Sequence, residues 1–259
     1  MIRLFFQRQK RLFHFCPKEY LFYLIVPVFF TVFLVFGAVL FQGVTPGSVT
    51  ATAAADCALI ALGGLFYLSF LQKKQRGLPK RRLFSVLAVL YLPLMWIATQ
   101  TGSQMLMDLY PQSMDTYNAM VSDEMDWYVI LTMVIAPFAE EVLFRGLWFS
   151  CIKRLMGRVP AYVVSVLLFS WMHQTIPQFY LAVFCGILFA FVYEVTGKLR
   201  WAVFFHMAYN TACILFSGIF LLDIWYEMSV FVIITILNVA AAGCLLWFSG
   251  RHDMVLKAG

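Results

Sequence analysis

Charge is scarce in this chain. Only 12% of its 259 residues are Asp, Glu, Lys or Arg, where a soluble domain carries about a quarter. That shortage excludes an ordinary water-soluble globule, and the apolar share of 63% points the same way, as does a mean hydropathy of +0.83. No CxxC pair occurs among the six cysteines (Cys16, Cys57, Cys151, Cys185, Cys213 and Cys244). Neither a disulfide framework nor a zinc knuckle is therefore indicated, and the thiols read as small apolar core residues. The sequence also lacks a GxSxG elbow, an HExxH helix, a P-loop and a dinucleotide fingerprint, which removes the common soluble hydrolase and nucleotide-binding signatures. No low-complexity tract or internal repeat is visible, and the missing repeat counts against a transporter built from two halves.

What is abundant is long apolar runs. They cover 20–42, 51–71, 83–100, 127–149, 161–176, 178–195, 201–222 and 229–249, and a bilayer needs roughly 20 apolar residues per helix. The expected fold is all-α, a polytopic membrane bundle of about eight transmembrane helices. The basic start followed by an apolar stretch looks like a signal peptide, but the stretch is long and no A-x-A site follows, so it reads as the first span. Pro177, between the fifth and sixth runs, predicts a tight turn there. Residues 100–126 read either as an interfacial helix carrying Met105, Leu106, Leu109 and Tyr110 or as an extension of span three. The chain divides into an N-terminal region (1–126), a core (127–222) and a last span with its tail (223–259), all in one structural domain.

The basic residues sort by side. Arg3, Arg8, Lys10, Arg11 and Lys18 precede span one; Lys73, Lys74, Arg76, Lys80, Arg81 and Arg82 follow span two; Lys153, Arg154 and Arg158 follow span four; Lys198 and Arg200 follow span six; Arg251 and Lys257 follow span eight. With eight alternating spans all of these fall on one side. The other side carries Asp108, Asp115, Asp123, Glu124, Asp126, Asp223 and Glu227. By the positive-inside rule both termini are cytoplasmic and the protein sits in the plasma membrane. The net charge of +6 then reflects topology and attraction to anionic lipid, not nucleic-acid binding.

Ionisable groups inside spans cost roughly 2.5–3.5 kcal/mol each on insertion scales, so each asks for a reason. Span four holds Pro137-Phe138-Ala139-Glu140-Glu141-Val142-Leu143-Phe144-Arg145. Neighbours on a helix point about 100° apart, so the two carboxylates are not expected to face one site. Glu141 and Arg145 stand at i,i+4 in the favourable order and predict an internal ion pair that leaves Glu140 free. Span five contributes Phe169 and His173, and span seven His206 and Asn210, each pair sharing a helix face. His14 and His252 lie in the tails. At about 1.5 Å per residue, Glu140 lies roughly 20 Å along span four, His173 roughly 18 Å from Ala161, and His206 about 8 Å from the inner end of span seven. One carboxylate, two imidazoles and a carboxamide at compatible depths suit water activation and attack on a carbonyl. Glu140 and His173 would hold the water, and His206 and Asn210 would donate to the oxyanion. Glu140, His173 and His206 could equally form a two-histidine, one-glutamate zinc shell. The residues leave zinc and metal-free activation both open. Purely structural hydrogen bonding between helices is the plainer alternative for each histidine and for Asn210.

Glu140-Glu141-x-x-x-Arg145, Phe169-x-x-x-His173 and His206-x-x-x-Asn210, with Thr196-Gly197-Lys198-Leu199-Arg200-Trp201 before the third, resemble the CPBP (Abi) family of CAAX-processing and bacteriocin-processing intramembrane endopeptidases. The resemblance covers roughly 127–215. It implies a helical bundle with a cavity open to the cytosolic leaflet and hydrolysis of a peptide bond in a membrane-associated protein or peptide. The substrate implied is a CAAX protein, a bacteriocin leader or a signalling peptide. It further implies Glu140 as base, His173 as its partner, His206 and Asn210 as oxyanion donors, and Glu141, Arg145 and Phe169 as support. The family has been described both as metal-dependent and as metal-free. The alternative it leaves is a non-catalytic immunity or regulatory protein on the same bundle.

Overall fold

The computed structural model describes residues 17–44, 49–72, 81–110, 125–173, 175–215 and 228–255, and among them all regular structure is helical. Arg3, Arg8, Lys10, Arg11, His14 and Cys16, the 73–80 loop, the acidic residues Asp115, Asp123, Glu124, Asp223 and Glu227, and Lys257 lie outside the described residues. Eight helical rods follow in the order of the eight apolar runs. They are α1 (Pro17–Val44), α2 (Val49–Phe66, continued by a wider π turn over Tyr67–Leu71), α3 (Arg81–Leu109), the composite α4, then α5 (Arg158–Trp171), α6 (Ile176–Thr196), α7 (Leu199–Leu215) and α8 (Met228–Val255). Lys18–Gly37, Thr52–Leu71 and Ile176–Thr196 are long and apolar enough to cross a membrane, and shorter apolar stretches occur in α3, α5 and α8. Many large apolar side chains on the outer surface, such as Phe29, Phe36, Leu65, Leu90 and Ile236, are more than half exposed. A helical bundle so clad in exposed hydrocarbon requires lipid around it. The protein is an integral membrane protein.

The rod α4 alternates between two windings. Met125–Ile130 is α-helical, Leu131–Ile135 is π, Ala136–Glu141 is α, Val142–Phe149 is π, and Ser150–Met156 is α again. Such wide turns are rare and free a carbonyl wherever the hydrogen-bond register slips. The stretch from Val142 to Leu147 is buried on every side, Arg145 included. Around it pack α2, α5, α6 and α7, so α4 is the hub of the bundle.

Two ends are set by chemistry that is readable locally. Gly157 (φ 95°) and Gly197 (φ 66°) adopt backbone that L side chains avoid, and they separate α4 from α5 and α6 from α7. The Thr175 hydroxyl caps the start of α6 by accepting from the Gln178 amide. Two sequence expectations change here. Pro177 does not make the turn between α5 and α6; it sits in the first turn of α6, where a missing N–H costs nothing. Span five ends early, at Trp171, so His173 lies just past the helix rather than within it. As far as Leu109 the stretch after span three is a helical extension, since α3 continues through Met105, Leu106 and Leu109; residues 111–124 lie outside the described residues.

Candidate active site

At the centre of the bundle Arg145 is fully buried, and its surroundings explain how a membrane interior tolerates it. Its Nη1 donates to Glu141 Oε1 at 2.8 Å, and its Nη2 donates to the Gly186 carbonyl of α6 at 3.0 Å. The guanidinium lies 4.4 Å from the centre of the Phe169 ring and 5.5 Å from that of Phe189, a cation–π arrangement that gains strength away from water. A Cβ at 186 would meet Phe169 Cδ1 and Val166 Cγ1 at 3.2 Å, so any larger residue there requires those side chains to shift. The expected Glu141–Arg145 pair is therefore present, and it links α4 to α6 as well as one turn of α4 to the next.

His206 of α7 completes the charged group. Its Nδ1 is 3.0 Å from Glu141 Oε1 and its Nε2 is 3.7 Å from Glu140 Oε2. The expectation that adjacent carboxylates would not face one site is corrected by this geometry. One imidazole carries nitrogens on opposite edges, so it bridges two side chains that diverge from neighbouring positions. The two acids differ in setting. The Glu141 side chain is fully buried, whereas that of Glu140 is 29% exposed, which makes Glu140 the more accessible of the two. A gap of 3.7 Å is too long for a direct hydrogen bond. The ring of Phe189 stacks on His206 at 4.4 Å and 22°, fixing the imidazole plane. The second oxygen of Glu141 is buried with no hydrogen-bond partner among the described residues.

His173 joins this group through an aromatic ring. Its Nδ1 lies 2.8 Å from the Phe169 carbonyl, which orients the ring and leaves Nε2 as its free edge. The Phe169 ring contacts His173 at 4.8 Å, His206 at 5.7 Å and the Arg145 guanidinium. Phe169 is thus the common neighbour of the three basic side chains, Arg145, His173 and His206. Asn210 is placed differently from its expected role: its Nδ2 donates to the Thr132 carbonyl at 2.9 Å. The reason lies in α4. Where the π register closes, the Ala136 N–H pairs with Leu131 O, and the next N–H in that register would serve Thr132 but belongs to Pro137, which has none. Asn210 supplies the missing donor and ties α7 to α4. The amide has a second N–H.

A metal bound by Glu140, His173 and His206 needs three donors turned to one point. Among the described residues no three His, Cys, Asp or Glu side chains converge on a metal position. The side chains as placed do not fit a metal centre, and no step below is routed through one.

Residues 124–212 match the family described as type II CAAX prenyl endopeptidase Rce1-like. The matched segment holds all three motifs and begins and ends within a few residues of the stretch on which the CPBP resemblance rests. A protein of Bacillus subtilis (strain 168) named "Putative membrane peptidase YdiL" is 26% identical over 83 residues, which is 32% of this chain and 34% of that protein. The match thus spans about a third of the length of the curated relative. No solved structure matches the chain. Over the Rce1-like segment the chain is similar to membrane peptidases.

Sequence reasoning missed three residues that the fold brings into play. Asp56 of α2 is a buried acid within electrostatic reach of Glu140; a lone carboxylate inside an apolar run was the signal for it. Glu194 near the end of α6 is buried and binds Lys153 at 2.9 Å and Arg158 at 2.7 Å, and accepts from the Tyr162 hydroxyl. Two of the basic residues read as positive-inside markers therefore also neutralise an acid. Phe189, which stacks on His206, has no signal in a helix as apolar as α6.

Proposed function

We propose that this chain is an intramembrane endopeptidase that hydrolyses a peptide bond of a membrane-associated protein or peptide near the cytosolic leaflet of the plasma membrane, with both chain termini cytoplasmic and about eight spans. The observation that carries the reading is the bridging of Glu140 and Glu141 by His206 beside His173, inside a segment similar to membrane peptidases. In this scheme Glu140, the exposed carboxylate, takes a proton from water as the oxygen attacks the scissile carbonyl carbon. His173 Nε2 holds that water. When both nitrogens of His206 carry protons, Nδ1–H donates to Glu141 and Nε2–H points into the reaction space, where it and the second N–H of Asn210 stabilise the oxyanion. Collapse of the intermediate breaks the C–N bond, and the leaving amine takes the proton back from Glu140. Arg145 and Phe169 hold Glu141 and the two imidazoles in place. A CAAX protein, a bacteriocin leader and a signalling peptide are the substrate classes to try first.

The test is cleavage by the purified full chain in lipid vesicles, read by mass spectrometry against those three classes of peptide. Wild type should give a defined product and Glu140→Gln none at equal protein level. Equal products from both would refute the assignment of Glu140.

A further inference from the structure

Away from the charged centre, a cavity of about 460 Å³ opens on the side of the bundle. Its walls are Ala88, Val89 and Leu92 of α3, Val192 and Val195 of α6, and Phe204, Phe205 and Ala208 of α7. On α7 the lining face (Trp201, Phe204, Phe205, Ala208) is not the face of His206 and Asn210, so the cleft is separate from the candidate active site. Val89, Trp201 and Phe204 are 52%, 42% and 58% exposed, so the cleft faces the hydrocarbon laterally. Its mouth is built differently from its walls. Thr196 and Lys198 line it there, and Arg200 stands next to them with its guanidinium 5.8 Å from the Trp201 ring. Lys198 and Arg200 are both exposed. Their positions are fixed, because the Lys198 amide donates to the Thr196 hydroxyl and Gly197 turns the chain. Helix α7 begins at Leu199, so the positive end of its dipole lies beside the same mouth.

We infer that this cleft is a binding site for an anionic glycerophospholipid, with one acyl chain along the α3–α6–α7 walls and the phosphate at Lys198, Arg200 and the start of α7. An apolar slot open to the bilayer takes a hydrocarbon chain, and the cations at its mouth select the head group by charge. Trp201 stands at the boundary between them, where amphipathic rings sit in membranes. The site stands on its own geometry and is independent of the catalytic reading.

Native mass spectrometry of the full chain in detergent tests it, with phosphatidylglycerol and phosphatidylcholine of the same chain length added in equal amounts. Wild type should retain phosphatidylglycerol in preference. Lys198→Gln, at an exposed site that leaves folding alone, should cut that preference about fivefold, the worth of one basic residue at an anionic surface. Ala208→Phe, which fills the cleft from a lipid-facing position, should lose both lipids. Equal retention of the two lipids by wild type overturns the inference, as does an unchanged preference in Lys198→Gln. A dimer in place of lipid adducts would make the cleft a helix-docking face and overturn it as well.

Discussion

Arg145 shows at the level of one residue why the site holds together. Its guanidinium is buried: Nη1 meets Glu141, Nη2 meets the Gly186 carbonyl and two aromatic faces cover it, while Nε has no hydrogen-bond partner among the described residues. Removing one member of a buried pair leaves the other charge uncompensated, at a cost of about 3–5 kcal/mol. Arg145→Ala should therefore lower the amount of protein in the membrane, measured by immunoblot, and its thermal stability in detergent. Normal accumulation of an inactive protein would contradict this structural role. The opposite pattern is expected at Asn210. Asn210→Ala should keep the protein level and lose about a hundred- to a thousand-fold in cleavage rate, the usual loss for an oxyanion donor. A wild-type rate would reduce Asn210 to its link with Thr132. The i,i+4 pairing of Glu141 with Arg145 was legible from spacing alone. That both carboxylates would meet His206 was not, because it depends on an imidazole arriving from α7, 65 residues along the chain.

The element that matters most is α4, whose winding the sequence disclosed only in part. Pro137 announces a lost hydrogen bond. The π turns before and after it follow from packing against α2, α6 and α7, which no local pattern encodes. The positions of the eight rods were legible because apolar runs and Gly or Pro breaks mark them directly. The exact end of α5 was not, since Met172 and His173 continue its pattern past the point where the helix stops. Pro137→Ala restores an N–H that competes with Asn210 for the Thr132 carbonyl. It should stabilise α4 yet reduce cleavage by releasing Asn210, with the protein level unchanged or raised. An unaltered rate would show that the Asn210 link does not bear on the reaction. Gly186→Val places side-chain atoms against Phe169 and Val166 and should cost about 1–3 kcal/mol through overpacking, read as a lower melting temperature in detergent.

For the whole molecule, orientation decides which leaflet the site serves. If the basic loops are cytoplasmic, cysteines placed at Lys74 and Lys198 in a chain whose six native cysteines are replaced should resist impermeant thiol reagents in intact cells and react after permeabilisation. Labelling from outside would reverse the topology. The charge sorting that carries this expectation is a property of the entire sequence and is readable from it directly. The convergence of α4, α5 and α7 on Phe169 required the fold. The central claim, hydrolysis by the Glu140 centre, is tested most directly by comparing the membrane-associated peptides of cells carrying wild type with those of cells carrying Glu140→Gln at matched expression. The account predicts at least one peptide pair in which the cleaved form is present only with wild type and the intact precursor accumulates with Glu140→Gln. Identical peptide profiles in the two strains, with both proteins folded and in the membrane, would contradict it.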